Sequence, residues 1–403
     1  MRILIVSLGL HPDAQGGAWR VAAAQASGLA ARHHTVDVVT ARQHPDHPTL
    51  ESRAGFALHR FPQTHRHAYA NWRSENLAAR ELVSALVAAP GRPPLDLVVQ
   101  HHAYLAPATS AIPESVPVLH VFHGPWAHEY RLSRSAAPRG FLRRGLDALV
   151  AATLHRVEAR ALRRARRILT LSRHFADHLA TWHPGSLPPI EVAPGGVDFD
   201  RFAPLPEPDR QRIRRTFGLA PDDLLFVATR RLDPRMGLDV LIEAFARIAA
   251  RRPRARLWLT GQGPAEAGLR SRIRCHRLDA TVRLLGVLPE SDLPLLLNAA
   301  DVAVMPSLDL EGFGLATVEA LACGTPVLGS QAGATPEILG SLDSSLLFPS
   351  ADIETLARRL EEASEGPGKL PSRERCAAFA RERYSWDHQL DACERAAALR
   401  SVP

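Results

Sequence analysis

At 403 residues, 46% of them hydrophobic and 23% charged, the chain has ordinary globular composition and is too long for one typical core, so two domains are expected. The net charge of +7 comes from arginine, since lysine is almost absent. A basic surface suits nucleic acid, anionic lipid or phosphorylated substrates, and compositional drift explains it equally well. No apolar run reaches the roughly 18 residues that span a bilayer, and Cys275, Cys323, Cys376 and Cys393 lack paired metal-ligand spacing, so a reduced, cytoplasmic protein is expected.

The opening run from Arg2 to Leu8 is followed by His11-Pro12-Asp13 with no small-residue cleavage pattern, so it reads as a buried first strand and not as a signal peptide. The spacing predicts further strands over 35–40, 95–100, 117–122, 167–171 and 190–193. Helices are predicted over 18–31, 74–88, 140–166 and 173–181. The second half repeats the alternation. Its strands fall at 224–229, 256–260, 282–285, 302–305, 326–329 and 346–348, and its helices at 237–251, 266–276, 292–299, 315–322 and 352–362. Two more helices, 371–382 and 386–399, close the chain. This pattern predicts an α/β protein with two doubly wound, Rossmann-like domains. The boundary is expected at Pro194-Gly195-Gly196-Val197-Asp198. That gives an N-terminal domain over 1–195 and a C-terminal one over 196–383, with Pro204 to Pro208 as a surface connector. Residues 384–403 are expected to pack back on the first domain. Parallel sheets bind ligands beyond the carboxyl ends of their strands, so the site is expected in a cleft between the two domains.

The loops after strands therefore carry the candidates. Gly16 and Gly17 open the first helix and can present N–H groups to a phosphate, although an ordinary turn reads the same way. His123-Gly124 follows the strand 117–122, and His101 and His102 follow another. Arg230, Arg231 and Arg235 lie between a strand and a helix, where arginine clamps diphosphate oxygens; a solvated cluster is the plain alternative. Gly261-Gln262-Gly263-Pro264-Ala265-Glu266 fails the dinucleotide fingerprint at its last position. Asp198-Phe199-Asp200 matches a metal-binding pattern by letters only and lies in the linker. The arginines around the helix 140–166, among them Arg139, Arg143, Arg144, Arg156, Arg160 and Arg163, suit a solvated face or peripheral contact with an anionic membrane. The aromatic interleaving of single-stranded nucleic-acid binders is missing, so no nucleic acid is expected.

The most specific block runs from Glu311 through Gly312-Phe313-Gly314-Leu315 to Glu319. It sets two carboxylates eight residues apart around a turn that opens a helix. The free N–H groups there can hold an anion, and the glycines let a ligand approach the backbone.

Taken in order, these loops resemble the retaining GT-B glycosyltransferases of family 4 over essentially the whole chain. The pieces that carry the likeness are Gly16-Gly17, His123-Gly124, Ser172, Pro194 through Asp198 with Phe202, Arg231-Leu232 with Gly237, Gly261 through Pro264, Pro306-Ser307, and Glu311 through Gly324. The resemblance implies a GT-B fold, two Rossmann-like domains facing across a cleft, and a nucleotide-sugar donor held mainly by the second. It assigns Glu319 to the ribose, Gly312, Phe313, Gly314 and Leu315 to the diphosphate and sugar, and Glu311 to sugar hydroxyls near the reacting carbon. Arg231 resembles the family's phosphate-binding arginine, Gly16 and Gly17 meet the diphosphate, His123 sits close to the sugar, and the base lies against Leu284 to Val287, which includes Gly286. The implied enzyme needs no metal and no cofactor, and serves cell-envelope, glycolipid or natural-product glycosylation. Its acceptor is an unidentified hydroxyl.

One departure bears on the chemistry. The family's lysine before the glycine is Met236 here, which removes a cation from the leaving phosphate. Arg235 or Arg230 is expected to compensate. At Gly333-Ala334, where two glycines are usual, a small effect is expected. Two other readings use the same donor site: a sugar-nucleotide epimerase of GT-B fold, and a degenerate nucleotide-sugar-binding protein for which Met236 is the main argument.

Overall fold

The computed structural model of the protein describes residues 1–63, 68–135, 141–366 and 368–399. The chain folds as two compact units, Met1–Gly195 with the segment from Trp386 onward, and Gly196–Ser385.

In the first unit, β1 (Arg2–Val6) leads into α1 (Gly17–Ala31) and β2 (Thr35–Ala41). Then come the hairpin β3 (Leu50–Arg53) and β4 (Phe56–Phe61), α2 (Ala68–Ala88), β5 (Leu97–His101) and β6 (Val118–Phe122). The helices α3 (Trp126–Ser135) and α4 (Phe141–Arg164), β7 (Arg167–Thr170), α5 (Arg173–Trp182) and β8 (Ile190–Val192) complete the order. The sheet runs β3-β4-β2-β1-β5-β6-β7-β8 and is parallel except for β3 against β4. Every residue of β1, β5 and β6 is buried, as helices on both faces of a parallel sheet require; hence their largely apolar spelling.

The second unit begins with α6 (Glu207–Thr216) and β9 (Leu224–Thr229), followed by α7 (Leu238–Ala249), β10 (Ala255–Thr260), α8 (Glu266–Cys275) and β11 (Val282–Gly286). It continues through α9 (Asp292–Ala299), β12 (Val302–Met305), α10 (Leu315–Ala322), β13 (Val327–Ser330), α11 (Thr335–Leu342), β14 (Leu347–Phe348), α12 (Ile353–Ala363) and α13 (Arg373–Arg383). Its strands, all parallel, are ordered β11-β10-β9-β12-β13-β14. The last helix, α14 (Asp387–Ala397), belongs to the first unit. Side-chain caps fix several helix starts: Ser172 accepts from the Phe175 N–H, Asp352 from Thr355 and Ser372 from Arg375.

Five elements escape the apolar spacing: β3, β4, α3, α6 and α11. The stretch Pro204 to Pro208, expected as a plain connector, runs into α6, with Pro206 at its N-cap and a proline in its first turn. That helix packs through charge, since Arg210 and Arg214 reach Asp301 at 2.6 and 3.0 Å. The strand β4 likewise buries Arg60, which pairs with Asp13 at 2.7 Å and Glu51 at 2.6 Å. Asp198 accepts the N–H groups of Asp200 and Arg201, so its carboxylate closes a turn. The predicted helix 140–166 is α4, exposing Arg143, Arg144, Arg156, Arg160 and Arg163; Arg139 and residue 140 lie outside the described residues. Among the described residues no helix is long and apolar enough to cross a membrane.

Candidate functional site

Each sheet reverses its strand order at one point, and most of the candidate residues stand on loops that leave the carboxyl ends of the strands at or beside it. In the first unit the reversal lies between β1 and β5. Gly16 ends the loop after β1, and Gly17 opens α1, whose start carries no side-chain cap, leaving N–H groups available to an anion. On α1, Trp19 faces His102 with ring centroids 5.4 Å apart, and His102 stacks on His123 at 5.5 Å. His123 leaves β6, and its Nε2 lies 2.9 Å from Nδ1 of His101, the last residue of β5.

A buried polar chain continues inward. His101 Nε2 is 2.9 Å from Gln25 Oε1 on α1, and Gln25 Nε2 donates to Gln389 Oε1 on α14 at 2.8 Å. Gln389 Nε2 donates in turn to the carbonyls of Ala193 and Pro194. His101, Gln25 and Gln389 are fully buried. Burial first, and then His102 and His120, push His101 down to about 3. The same burial, with His101, His102 and His120 around it, holds His123 well below the ordinary imidazole value. Both rings are therefore neutral near pH 7.

In the second unit the reversal lies between β9 and β12. The loop after β9 and the loop after β12 are stitched together. Leu308 N–H donates to the Arg235 carbonyl at 2.8 Å, and Arg235 Nη1 donates to the Leu310 carbonyl at 3.0 Å. Gly237, at φ 66°, lies so close to the second loop that a Cβ would stand 2.0 Å from the Pro306 carbonyl oxygen. Between the loops, Arg230 pairs with Glu311 and lies 3.2 Å from Met236 Sδ and 3.4 Å from Met305 Sδ. Ser307 Oγ donates to the same Glu311 oxygen at 3.0 Å. Burial raises the Glu311 pKa, but the charge and hydrogen bond of Arg230, helped by Ser307 and Arg235, outweigh it and hold the carboxyl below its ordinary value.

The predicted block around Glu311 keeps its shape through its neighbours. Gly314 caps α10 in the left-handed region, φ 100°, and no side chain occupies that helix start. Phe313 is buried against Tyr384, ring centroids 5.7 Å apart. Gly333, at φ 56°, presses on the Glu311 backbone: a Cβ there would lie 2.2 Å from the Glu311 carbonyl oxygen, which accepts from the Ala334 N–H at 2.8 Å. Ala334 itself has φ −83° and is fully buried, a conformation any residue adopts. Glu319 is buried on the flank of α10. Arg231 is exposed beside Arg230. At the end of β11 the Gly286 carbonyl accepts from the Gly261 N–H at 2.7 Å and from Thr260 Oγ1 at 3.0 Å, and the Val287 side chain is 51% exposed.

Of the two arginines that the sequence offers in place of lysine, Arg230 is the one that touches both Met236 and Glu311. Arg235 secures the loop backbone. Gln25 and Gln389 had no motif to mark them, because 364 residues separate them and only the return of α14 joins them. Among the described residues no group of three or more His, Cys, Asp or Glu side chains is arranged to hold a metal ion.

Residues 209–383 match the family model of glycosyl transferases group 1, and residues 15–201 match that of Glycosyltransferase Family 4. A GDP-mannose-dependent monoacylated alpha-(1-6)-phosphatidylinositol monomannoside mannosyltransferase of Corynebacterium glutamicum is 34% identical over 189 residues, 45% of this chain and 49% of that protein. A D-inositol 3-phosphate glycosyltransferase of Streptomyces bingchenggensis is 32% identical over 232 residues, 55% of this chain and 50% of its own length. The chain thus spans about half the length of these curated relatives. Among solved structures, a sucrose-phosphate synthase from Thermosynechococcus elongatus superposes with a TM-score of 0.81 at 22% identity, covering 98% of both chains; the likeness is one of fold.

Proposed function

The chain belongs to the group 1 and Family 4 glycosyl transferases and has the GT-B fold, and from that premise we propose that it moves a sugar from a nucleotide-diphosphate sugar to a hydroxyl acceptor with retention of anomeric configuration. The observation that carries this reading is the stitched pair of loops at the β9/β12 reversal, where Arg230, Glu311 and the uncapped start of α10 converge.

The reaction needs charge opposite a departing diphosphate. Gly312, Phe313, Gly314 and Leu315 offer backbone N–H groups, and Arg231 offers an exposed guanidinium; the open helix start at Gly16 and Gly17 likewise suits a diphosphate. Arg230 supplies the second cation in place of the lysine that Met236 replaces. Glu311 takes sugar hydroxyls, Glu319 the ribose, and Gly286 with Val287 the base, while His123 lies beside the sugar. The bond from the anomeric carbon to the diphosphate oxygen breaks as the acceptor oxygen bonds to the same face of that carbon. The acceptor proton passes to the departing phosphate oxygen, and the nucleoside diphosphate leaves. No metal takes part. GDP-mannose is the donor, and an inositol phosphate or its lipid is the acceptor, as the names of the two relatives suggest. The exposed Leu146, Leu149, Arg143 and Arg144 on α4 support peripheral contact with an anionic membrane, where a lipid acceptor would be met.

The test is incubation with GDP-mannose and an inositol-phosphate acceptor in the presence of a chelator, with the product anomer read by NMR. A mannoside of the donor's own configuration is expected. An inverted anomer, an epimerised nucleotide sugar from donor alone, or donor binding without turnover across a broad acceptor panel would overturn the reading.

A further inference from the structure

We infer that Gln25, His101 and Gln389 are positioning residues that lock His123 as the Nε2–H tautomer, so that its bare Nδ1 is the nitrogen that accepts a hydrogen bond from a donor-sugar hydroxyl. The assignment deepens the proposed function and rests on it for the sugar contact. The tautomer itself follows from the first unit alone.

The direction of the chain is set at its inner end. Gln389 faces two backbone carbonyls, Ala193 and Pro194, and a carbonyl can only accept; the amide nitrogen must point at them, and both its hydrogens are used. Gln389 Oε1 is then turned to Gln25, whose Nε2 donates to it at 2.8 Å. Gln25 in turn presents Oε1 to His101 Nε2 at 2.9 Å, so that nitrogen carries a hydrogen. His101 is fully buried, and no carboxylate is among the groups that shift its titration, which makes it a neutral ring with Nδ1 bare. A bare Nδ1 accepts, so His123 Nε2, 2.9 Å away, must donate. Neutral His123 is left with its lone pair on Nδ1, an atom with no hydrogen bond among the described residues. Every link is forced by the one before, and the anchor is backbone.

The chemical consequence is a polarity. A histidine locked this way receives a hydrogen bond from a sugar hydroxyl and gives none. It also adds no positive charge beside the sugar, leaving the diphosphate to the arginines.

The full chain labelled with 15N-histidine tests this by long-range proton–nitrogen NMR at pH 7, with His123 assigned by its loss in His123→Asn. The expected spectrum has a pyridine-like Nδ1 and a pyrrole-like Nε2. In Gln25→Leu and Gln389→Leu, which keep the volume and break the chain, His123 is expected to become a mixture of tautomers. Transfer should then fall at least about tenfold in kcat with the donor KM little changed, the signature of lost orientation and not of lost binding. A wild-type His123 protonated on Nδ1 overturns the inference, as does an unchanged tautomer in either folded variant. Should the variants fail to fold, the wild-type spectrum still decides. Because the spectrum needs no substrate, a failed transfer assay counts against the proposed reaction and leaves the tautomer standing.

Discussion

Glu311 and Arg230 form one unit, and substitution of either acts on the other. Glu311→Ala leaves the Arg230 charge buried without its partner, a change that costs about 3–5 kcal/mol in comparable buried pairs. Glu311→Gln also removes the counter-charge but keeps a hydrogen-bond acceptor for Arg230, and should cost less than Ala in chemical denaturation. Both variants are expected to lose transfer by at least about 100-fold, which separates the carboxylate's chemistry from its structural share. If Arg230 is the second cation, Arg230→Met should lower kcat by about 100- to 1000-fold in the Met236 protein. In a Met236→Lys background the loss should be far smaller, and steady-state kinetics showing equal losses would remove Arg230 from that role. The sequence revealed these residues unevenly. Glu311 stood in a recognisable block, while Arg230 and Arg235 were equal candidates for the missing cation until the fold set Arg230 against Met236 and Met305.

At the level of elements, α10 was legible residue for residue, because a glycine turn and an apolar run mark it at both ends. The β3–β4 hairpin and α6 were not, for a shared physical reason. Each buries arginine against carboxylates, Glu51 of the hairpin itself with Asp13 in one case and Asp301 in the other, so polar residues stand where a local pattern expects apolar ones. The loop after β13 gives a sharp test of element packing. Gly333→Ala adds a Cβ 2.2 Å from the Glu311 carbonyl oxygen at a φ of 56°, and backbone strain of this kind costs about 1–3 kcal/mol. Calorimetry should show nucleoside diphosphate binding weakened at least about tenfold, whereas Ala334→Gly should leave it nearly unchanged. On α4, the double variant Leu146→Asp with Leu149→Asp is expected to reduce cosedimentation with anionic vesicles. Unaltered sedimentation would separate this helix from any membrane contact.

The molecule as a whole should respond to acid unequally in its two units. An unfolded histidine titrates near 6.5, while burial holds His101 and His120 at about 3 in the folded first unit, and His102 and His123 are lowered with them. Between those values the unfolded chain binds more protons than the native one. Stability from this cluster is thus complete above about pH 6.5 and falls as pH drops, by roughly 1.4 kcal/mol per pH unit for each histidine. Glu129 and Glu158 oppose the shift at His102, and His183 reinforces it at His120. Scanning calorimetry from pH 7 to 5 should therefore lower the first unit's transition ahead of the second's, and parallel movement of both would contradict the assignment.

The path of the chain has a genetic meaning. The unit Gly196–Ser385 begins and ends inside the other one, so it is an insertion and not an appended half. Helix α14 is bound to its own unit by Gln389 on Gln25, by Asp387 and Asp391 on Arg32 at 2.7 and 2.6 Å, and by Leu390, which fills the space where Gly28 has no side chain. Recombination with a relative at the single junction after Gly195 would import a foreign α14 and cut these ties at once. Exchange of the donor half between family members accordingly takes two crossovers, one after Gly195 and one after Ser385, and lineages that swap it should carry both scars.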